Sequence, residues 1–329
     1  MEYTRLGNSG LEISRLCLGT MSYGNPDKWI HSWVLKEEEA RKIIKRALEL
    51  GINFFDTANV YGLGASEEIL GRALKDYANR DEVVIATKVC GKMFEGPNGG
   101  GLSRKSIISE VEKSLKRLQT DYIDLLIIHR WDYNTPIKET MKTLHDLIKS
   151  GKVRYIGASS MYAWQFQKAQ YIAKMNGFTE FISMQNHYNL LYREEEREMI
   201  PLCIDLKVSI TPYSPLASGR LAKDPGETSK RLEEDTIAKQ KYDSTAIEDN
   251  IIIERLSEIS KKRNIPRNQL ALAWLLQKNY LAAPIIGATK ISHLESAVAA
   301  LNIKLSTEEI HYLEEGYKPH NVVGIASYK

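Results

Sequence analysis

The sequence predicts an α/β fold in which eight parallel strands close into a (β/α)8 TIM barrel, with an N-terminal β-hairpin and extra C-terminal helices. Short apolar runs alternate with segments that carry apolar residues at helical spacing, and the alternation continues along the whole chain. The apolar runs number eight, which favours a closed barrel over an open doubly wound sheet. No linker or shift of composition divides the chain, so we expect a single domain over residues 1–329.

Local patterns justify each element in chain order. Residues 4–13 contain a Gly/Asn turn and predict the hairpin. The predicted barrel strands cover residues 16–19, 52–56, 83–87, 122–128, 153–157, 181–185, 208–211 and 283–287. Helices are expected over about residues 37–50, 67–74, from after 103 to 118, up to 150, and over 162–175, 194–206, 251–263, 267–277 and 307–315. Ser103 is a typical N-cap residue, and the polar stretch 223–249 indicates an insertion or mobile loop after the seventh strand.

Composition excludes several classes of protein. Hydrophobic and charged contents of 43% and 26% are those of an ordinary globular protein, and no apolar stretch approaches the roughly 20 residues of a membrane helix. A net charge of +3 is too small to indicate a nucleic-acid or membrane partner. Three scattered cysteines and the lack of a signal peptide favour a cytoplasmic protein, and without a closely spaced His/Cys cluster we expect no metal.

Four ionisable residues follow the second, third and fourth predicted strands: Asp56, Tyr61, Lys88 and His129. Carboxyl ends of barrel strands form the functional face, so these groups are expected around one mouth. A lysine cation beside a phenol favours the phenolate and makes its proton easier to donate. Taken singly, each residue has a structural interpretation: an Asp56–Lys88 ion pair, a packing tyrosine and a core histidine. Their convergence on one face favours a catalytic function.

Beyond these residues, the chain resembles the aldo-keto reductases over nearly its whole length. The motifs that carry the resemblance lie at residues 18–24, 56–62, 114–125, 129–132, 151–157 and 213–219. The chain looks most similar to the long-loop bacterial and fungal members, near the potassium-channel β-subunit branch. The resemblance implies a barrel that binds NADPH and reduces aldehydes or ketones to alcohols.

By this resemblance, the four strand-end residues acquire catalytic roles. Tyr61 is the general acid that protonates the carbonyl oxygen, and Lys88, paired with Asp56, lowers the pKa of the phenol. His129 orients the carbonyl and assists protonation. Physical chemistry agrees, because negative charge develops on the carbonyl oxygen as hydride reaches carbon, and donors placed there stabilise it.

The resemblance also implies binding residues. Ser159 and Gln185 match positions that hold the nicotinamide carboxamide, Tyr213 matches the residue that stacks on its ring, and Lys290 favours NADPH through its charge. The full set of expected cofactor residues is Gly19, Thr20, Met21, Asp56, Ser159, Gln185, Tyr213, Ser214, Leu216, Gly219, Arg220, Gly287, Thr289, Lys290 and His293. His293 and Ser160 depart from the family pattern, since they stand where Gln and Asn are common. Expected substrate contacts are Tyr23, Tyr61, His129 and Trp131.

Two alternatives remain open at this point. One is an NADPH-binding regulatory or redox-sensing subunit with slow reductase activity, as in the channel β-subunit branch; the short segment before the hairpin favours a free-standing enzyme. The other is an isomerase or dehydrogenase on the same fold. The expected partners are a small carbonyl substrate and, in a homo-oligomer, further copies of the chain; a monomer is equally compatible.

Overall fold

The computed structural model describes residues 1–27, 29–223, 227–228 and 230–326. Two antiparallel strands, β1 (Tyr3–Arg5) and β2 (Glu12–Ser14), form the expected hairpin. The parallel strands are β3 (Cys17–Gly19), β4 (Phe54–Asp56), β5 (Val84–Val89), β6 (Ile123–Ile128), β7 (Val153–Ser159), β8 (Ser183–Gln185), β9 (Ser209–Ile210) and β10 (Ile285–Gly287). They pair in the order β10-β3-β4-β5-β6-β7-β8-β9. Each predicted barrel strand is thereby confirmed.

The two end strands of this order, β9 and β10, are brought together by backbone hydrogen bonds. Ile210 forms a parallel bridge with Leu281 just before β10. The amide of Ala282 donates to the Ile210 carbonyl at 2.9 Å, and the amide of Ile285 donates to the Pro212 carbonyl at 2.9 Å. These bonds complete the ring of strands, as the predicted barrel requires.

Helices surround the strands. They are α1 (Glu37–Glu49), α2 (Ala65–Tyr77), α3 (Arg104–Leu118), α4 (Ile137–Lys149), α5 (Ala163–Asn176), α6 (Met199–Asp205), α7 (Lys230–Glu234), α8 (Thr236–Tyr242), α9 (Ala246–Arg263), α10 (Arg267–Leu276), α11 (Ile291–Ala299) and α12 (Thr307–Glu314). Ser103 caps α3 as predicted, because its hydroxyl accepts from the Ser106 amide at 3.2 Å. Within the described residues, no helix has both the length and the apolar composition needed to cross a membrane.

Strand alternation divides the core into two shells. Along β6, Leu125 and Ile127 belong to the cluster inside the barrel, whereas Leu126 and Ile128 pack outward against the helices. All four side chains are completely buried. Because both faces of the strands are buried, their sequences are continuous apolar runs and do not alternate between apolar and polar residues.

The hairpin covers the N-terminal end of the barrel. Leu6 and Ile13 are fully buried and join the inner cluster. The amide of Gly7 donates to the Ser209 hydroxyl at 2.7 Å. The guanidinium of Arg15 donates to three carbonyls near the start of β10, those of Leu276, Leu281 and Ala282, at 2.7, 2.5 and 2.8 Å. The opposite end, where the strands finish, stays available for a site.

Two segments differ from the sequence-based expectation. Residues 194–206 do not form one helix: a 3-10 turn at Glu194–Glu196 precedes α6. Pro201 explains the break, since its ring would clash with a carbonyl four residues earlier, and it is tolerated only in the first turn of a helix. Within the polar stretch 223–249, the described residues 230–249 are largely helical, in α7, α8 and the start of α9. These residues therefore form an insertion after the seventh barrel strand, one of the two expected alternatives, and it contains helices that the sequence analysis did not predict. Residues 224–226 and 229 lie outside the described ones.

Candidate active site

A fully buried lysine occupies the centre of the strand-end cluster. The Lys88 ammonium contacts Asp56 Oδ1, donates to the Thr57 carbonyl at 2.8 Å and lies 3.4 Å from the Tyr61 hydroxyl. Asp56 is 2% exposed, so this ion pair is shielded from water. Three acceptors around one ammonium satisfy the requirement that a buried charge be paired and hydrogen-bonded.

Strand register places this pair inside the barrel. Phe54 and Ala86 face the inner cluster, and Asp56 and Lys88 lie two residues beyond them on adjacent strands. Tyr61 follows β4 in a tight turn in which Gly62 and Leu63 have φ angles of 57° and 53°. The chain already turns before this residue, since the Tyr61 amide donates to the Ala58 carbonyl at 3.1 Å, and the phenol hydroxyl lies 3.4 Å from the Lys88 ammonium.

The Tyr61 ring lies among other aromatic side chains. Its centroid is 5.8 Å from the ring of His129, with an interplanar angle of 80°. On another side, the Trp29 ring lies 6.2 Å from it. His129 directly follows β6, and its amide donates to the Val89 carbonyl at the end of β5. The four predicted catalytic residues are thus brought together at one mouth.

Burial sets the charge states of these groups. It raises the pKa of Tyr61, and although Lys88 acts in the opposite direction, the net shift is upward. Lys88 thus acts in the expected direction, but the sequence analysis did not anticipate that burial outweighs it. Burial opposes the charge of Lys88, but Asp56 and Tyr61 outweigh it and raise the pKa of the ammonium. Burial, with help from Arg130 and Lys88, lowers the pKa of His129 well below its usual range. Near neutral pH the site holds a neutral phenol, a neutral imidazole and a charged lysine.

Several expected cofactor residues lie beside the buried pair. Gln185, at the end of β8, donates from Nε2 to Asp56 Oδ2 at 2.9 Å. Thr20 donates from its hydroxyl to the Asp56 carbonyl at 3.0 Å. Ser159 ends β7, and its hydroxyl lies 3.1 Å from that of Ser160. These polar groups share the carboxyl ends of the strands with the catalytic cluster.

Gly19 and Met21 flank Thr20 at the end of β3. Gly19 is buried, and an added Cβ would lie 2.6 Å from a side-chain methyl of Ile285, so the close approach of β10 requires glycine here. Met21 is half-buried directly after the strand. Both therefore stand at the mouth, as expected for cofactor residues.

Tyr213 follows β9 and stacks on His187, with ring centroids 5.4 Å apart and an interplanar angle of 13°. Burial would raise the pKa of this phenol, but Lys241 and Arg130 outweigh burial and lower it. The Lys241 ammonium lies 3.5 Å from the Tyr213 hydroxyl. A second phenol at the mouth thus experiences a positive field.

A tight turn after Tyr213 contains the next group of expected residues. Ser214 and Gly219 have φ angles of 55° and 107°, and Leu216 precedes the 3-10 turn Ala217–Gly219. Arg220 donates from Nη2 to Asp243 at 2.7 Å. Its buried Nη1 has no hydrogen-bond partner among the described residues. The amides of Ala217, Gly219 and Arg220 donate to carbonyls within this turn. The group that suits an anion is therefore the guanidinium nitrogen that lacks a hydrogen-bond partner.

The last expected group lies where β10 leads into α11. Gly287 ends the strand and Lys290 is the exposed N-cap position of the helix. The Thr289 hydroxyl lies 3.5 Å from Nδ1 of His293. Partial burial, together with Lys290 and Lys223, lowers the pKa of His293. This end of the site is positively charged, as a phosphate requires.

The expected substrate residues divide into two groups. Trp131 is 8% exposed and its ring lies 6.0 Å from that of Trp164, close to His129 at the mouth. Tyr23 differs from the expectation. It is fully buried, its hydroxyl donates to the Ala288 carbonyl at 3.3 Å, and burial raises its pKa far above the usual range. Because no part of the Tyr23 side chain is exposed, a substrate cannot contact it in this conformation.

Two side chains near the site were missed by the sequence-based reasoning. Arg130 follows His129 directly, and its charge acts on Tyr61, His129 and Tyr213. Asn186 follows Gln185 and accepts from the Ser160 amide at 2.7 Å. In each case the signal was adjacency to a residue already singled out at a strand end.

A cavity of about 1100 Å³ lies at the opposite end of the barrel, near the hairpin, and includes none of the predicted site residues. Among the described residues, no three His, Cys, Asp or Glu side chains are grouped to hold a metal ion.

Comparisons with known proteins agree with this geometry. The sequence model described as "Aldo/keto reductase family" matches residues 15–318. The versiconal hemiacetal acetate reductase of Aspergillus parasiticus is 47% identical over 97% of this chain and 98% of its own length. An aldo-keto reductase of Metarhizium robertsii is 45% identical over 98% and 93%. A putative aryl-alcohol dehydrogenase of Schizosaccharomyces pombe is 44% identical over 98% and 97%. The chain therefore belongs to the aldo/keto reductase family and is an oxidoreductase.

Proposed function

We propose that this protein reduces aldehydes or ketones to alcohols with NADPH, and that Tyr61 donates the proton. The observation that carries the proposal is the buried Lys88 ammonium, held between Asp56 and the Tyr61 hydroxyl at 3.4 Å. A phenol in this position keeps its proton at neutral pH, because burial raises its pKa. Once the proton is donated, the phenolate lies beside a cation that stabilises it.

His129 has a supporting role in this scheme. Its depressed pKa keeps the imidazole neutral, so it offers an N–H to the carbonyl oxygen without competing as an acid. With Tyr61 it forms a two-donor site whose rings meet edge to face. Negative charge that develops on the oxygen is stabilised by both donors.

NADPH fits the residues at the mouth. Ser159 and Gln185 would hold the carboxamide, the turn from Ser214 to Arg220 the pyrophosphate, and Lys290 the adenosine phosphate. One observation supports the fit: the buried Arg220 Nη1 has no hydrogen-bond partner among the described residues. When bound, the reduced nicotinamide supplies hydride to the carbonyl carbon.

We propose aromatic aldehydes as the preferred substrates. Trp29 lies beside Tyr61, and Trp131 pairs with Trp164 next to His129. Flat aromatic walls favour flat apolar substrates through burial and ring stacking. The name of the yeast relative, an aryl-alcohol dehydrogenase, supports the same class.

A carbonyl panel assayed with both NADPH and NADH tests the proposal, using aromatic and aliphatic aldehydes and Tyr61→Phe beside wild type. We expect wild type to oxidise NADPH fastest with 4-nitrobenzaldehyde. Loss of the phenolic proton is expected to reduce kcat in Tyr61→Phe by about 100-fold or more, while the dissociation constant for NADPH, followed by fluorescence, stays unchanged.

Two results would overturn parts of the proposal. Turnover of Tyr61→Phe close to wild type would exclude Tyr61 as the acid. Tight NADPH binding without turnover of any carbonyl would replace the enzyme by a cofactor-sensing subunit.

A further inference from the structure

The loop that carries Tyr61 rests on a buried polar network outside the mouth. The network lies between α2 and α3 and consists of Glu67, Glu110 and Arg117, together with Asn59 from the loop. Glu67 is fully buried, and its Oε2 accepts from Arg117 Nε at 2.6 Å. Glu110 is 5% exposed and lies 3.8 Å from the same guanidinium. None of the catalytic roles above uses these side chains.

Asn59 connects the network to the loop. It is fully buried, and its Nδ2 donates to Glu110 Oε2 at 3.1 Å. Its backbone amide donates to the Lys88 carbonyl at 3.2 Å. Asn59 is therefore bonded both to α3 and to the strand residue that carries the central ammonium, and it stands two positions before Tyr61.

The network also contacts the end of the turn after Tyr61 and the strand that carries Lys88. On the far side of Tyr61, an added Cβ at Gly64 would lie 2.6 Å from Arg117 Cδ, so the arginine stem packs directly against the end of the turn. On the strand side, the hydroxyl of Thr87, the neighbour of Lys88, donates to Glu67 Oε1 at 2.5 Å. One set of charges thus fixes the loop before and after Tyr61 and the strand beside Lys88.

We propose that Asn59, Glu67, Glu110 and Arg117 are positioning residues that set the distance between the Tyr61 hydroxyl and the Lys88 ammonium. The inference rests on the function proposed for Tyr61. The turn after Tyr61 holds Leu63, a non-glycine residue, in the left-handed region, which costs energy that the surrounding structure must offset. Proton transfer depends steeply on geometry, and a displacement of about 1 Å can lower rates about 100-fold.

Two variants that first remove and then reverse the hydrogen bond between Asn59 and Glu110 test its role. In Asn59→Asp, a carboxylate replaces the donor and faces the Glu110 carboxylate, with Lys113 and Arg117 as the cations on the other side. We expect kcat with 4-nitrobenzaldehyde to fall about 10- to 100-fold near pH 8. It is expected to recover as the pH decreases, because two adjacent carboxylates then share a proton and restore a hydrogen bond.

The double variant Asn59→Asp/Glu110→Gln restores the bond with donor and acceptor exchanged. We expect it to regain most of the lost kcat at pH 8 and to lose the extra pH dependence of the single variant. The side-chain bonds of the network join Asn59 to Glu110, and Glu67 to Thr87 and Arg117, none of them to an expected cofactor residue. The NADPH dissociation constant is therefore expected to stay the same in all variants. Thermal unfolding is measured on each.

Asn53→Asp is the matched control. Asn53 and Asn59 flank the same strand, β4, at its opposite ends, and Asn53 bonds to Ser14 and Glu12 in the hairpin region. This control is expected to change thermal stability without changing kcat or its pH profile.

The outcomes separate the two proposals. Wild type that reduces carbonyls while Asn59→Asp keeps its kcat and loses only stability would overturn the positioning role alone. A loss of kcat that the double variant does not restore would likewise exclude the bond as its cause. Wild type without carbonyl turnover would instead overturn the proposed function.

Discussion

At the level of single side chains, burial decides more than charge in this site. Tyr61 lies next to an ammonium, yet its pKa moves upward because the loss of water around the phenol outweighs the attraction of Lys88. His129 stays neutral for the same reason. As a result, the Tyr61 phenol keeps its proton at neutral pH, and the neutral His129 imidazole does not compete with it as an acid.

Glu195 provides a separate test of the same effect. Its carboxylate accepts from Asn186 Nδ2 at 2.5 Å, behind the strand end that carries Gln185. Burial raises its pKa from 4.5 to about 7, against the hydrogen bond from Asn186 and with a contribution from Glu194. Because the folded-state pKa lies above the unfolded one, the stabilisation is complete below about pH 4.5 and is lost as the pH rises through about 7.

We therefore expect Glu195→Gln to lose less stability than wild type as the pH rises. Between about pH 5 and about pH 8.5, the free energy of unfolding of wild type is expected to fall by on the order of 3 kcal/mol more than that of Glu195→Gln. Urea unfolding of both proteins at the two pH values measures it. Parallel slopes would show that Glu195 titrates normally.

At the scale of elements, the contact between α2 and α3 depends on one glycine. An alanine Cβ at Gly71 would lie 2.6 Å from the Arg117 carbonyl oxygen and 2.7 Å from Leu118 Cα. Both are backbone atoms that cannot turn aside. Gly71→Ala is therefore expected to destabilise the fold by about 1–3 kcal/mol, although alanine favours an isolated helix.

Gly10→Ala is the control for this prediction, because an added Cβ there meets nothing within 4 Å. Its effect is expected to stay within about 0.5 kcal/mol. Unfolding in urea compares both variants with wild type. A stabilised Gly71→Ala would mean that the two helices separate without cost.

Elements whose boundaries depend on local pattern were predictable from the sequence. The eight apolar runs became strands, and the capping residue Ser103 began α3 where expected. Helices in the stretch 230–249 were missed because their surface is polar and their support is tertiary, as with the Arg220–Asp243 bond. The catalytic residues could be placed because they end strands. The bond between Asn59 and Glu110 behind them could not, since it depends on the packing of α3 against a loop 51 positions away.

For the whole molecule, the polar segment after β9 joins distant parts of the mouth. Glu234 at the end of α7 accepts from the Ser32 hydroxyl in the loop after β3, and the Arg231 guanidinium lies 4.5 Å from the Trp33 ring. That loop also carries Trp29, the neighbour of Tyr61. The segment therefore spans the region in which we propose that NADPH lies.

Hydrogen exchange with and without NADPH tests whether this segment responds to the cofactor. We expect slower exchange in residues 230–245 when NADPH is bound, because ligands suppress local opening of the elements that cover them. Helix α12, on the outside, provides the internal control and is expected not to change. Equal exchange rates with and without NADPH would show that the segment does not respond to cofactor binding.

The hairpin at the base of the barrel has a consequence for biosynthesis. Its Gly7 and the adjoining Arg15 bond to residues about 200 to 270 positions later in the chain. At about 5–20 residues per second, a ribosome needs about 13–53 s to add the residues between Arg15 and Ala282. Throughout that interval the inner cluster that Leu6 and Ile13 join is incomplete, because it also needs Ala282, Ala283 and Ile285. The base of the barrel therefore closes only after β10 has been made, and we expect these two side chains to expose apolar surface on the nascent chain until then.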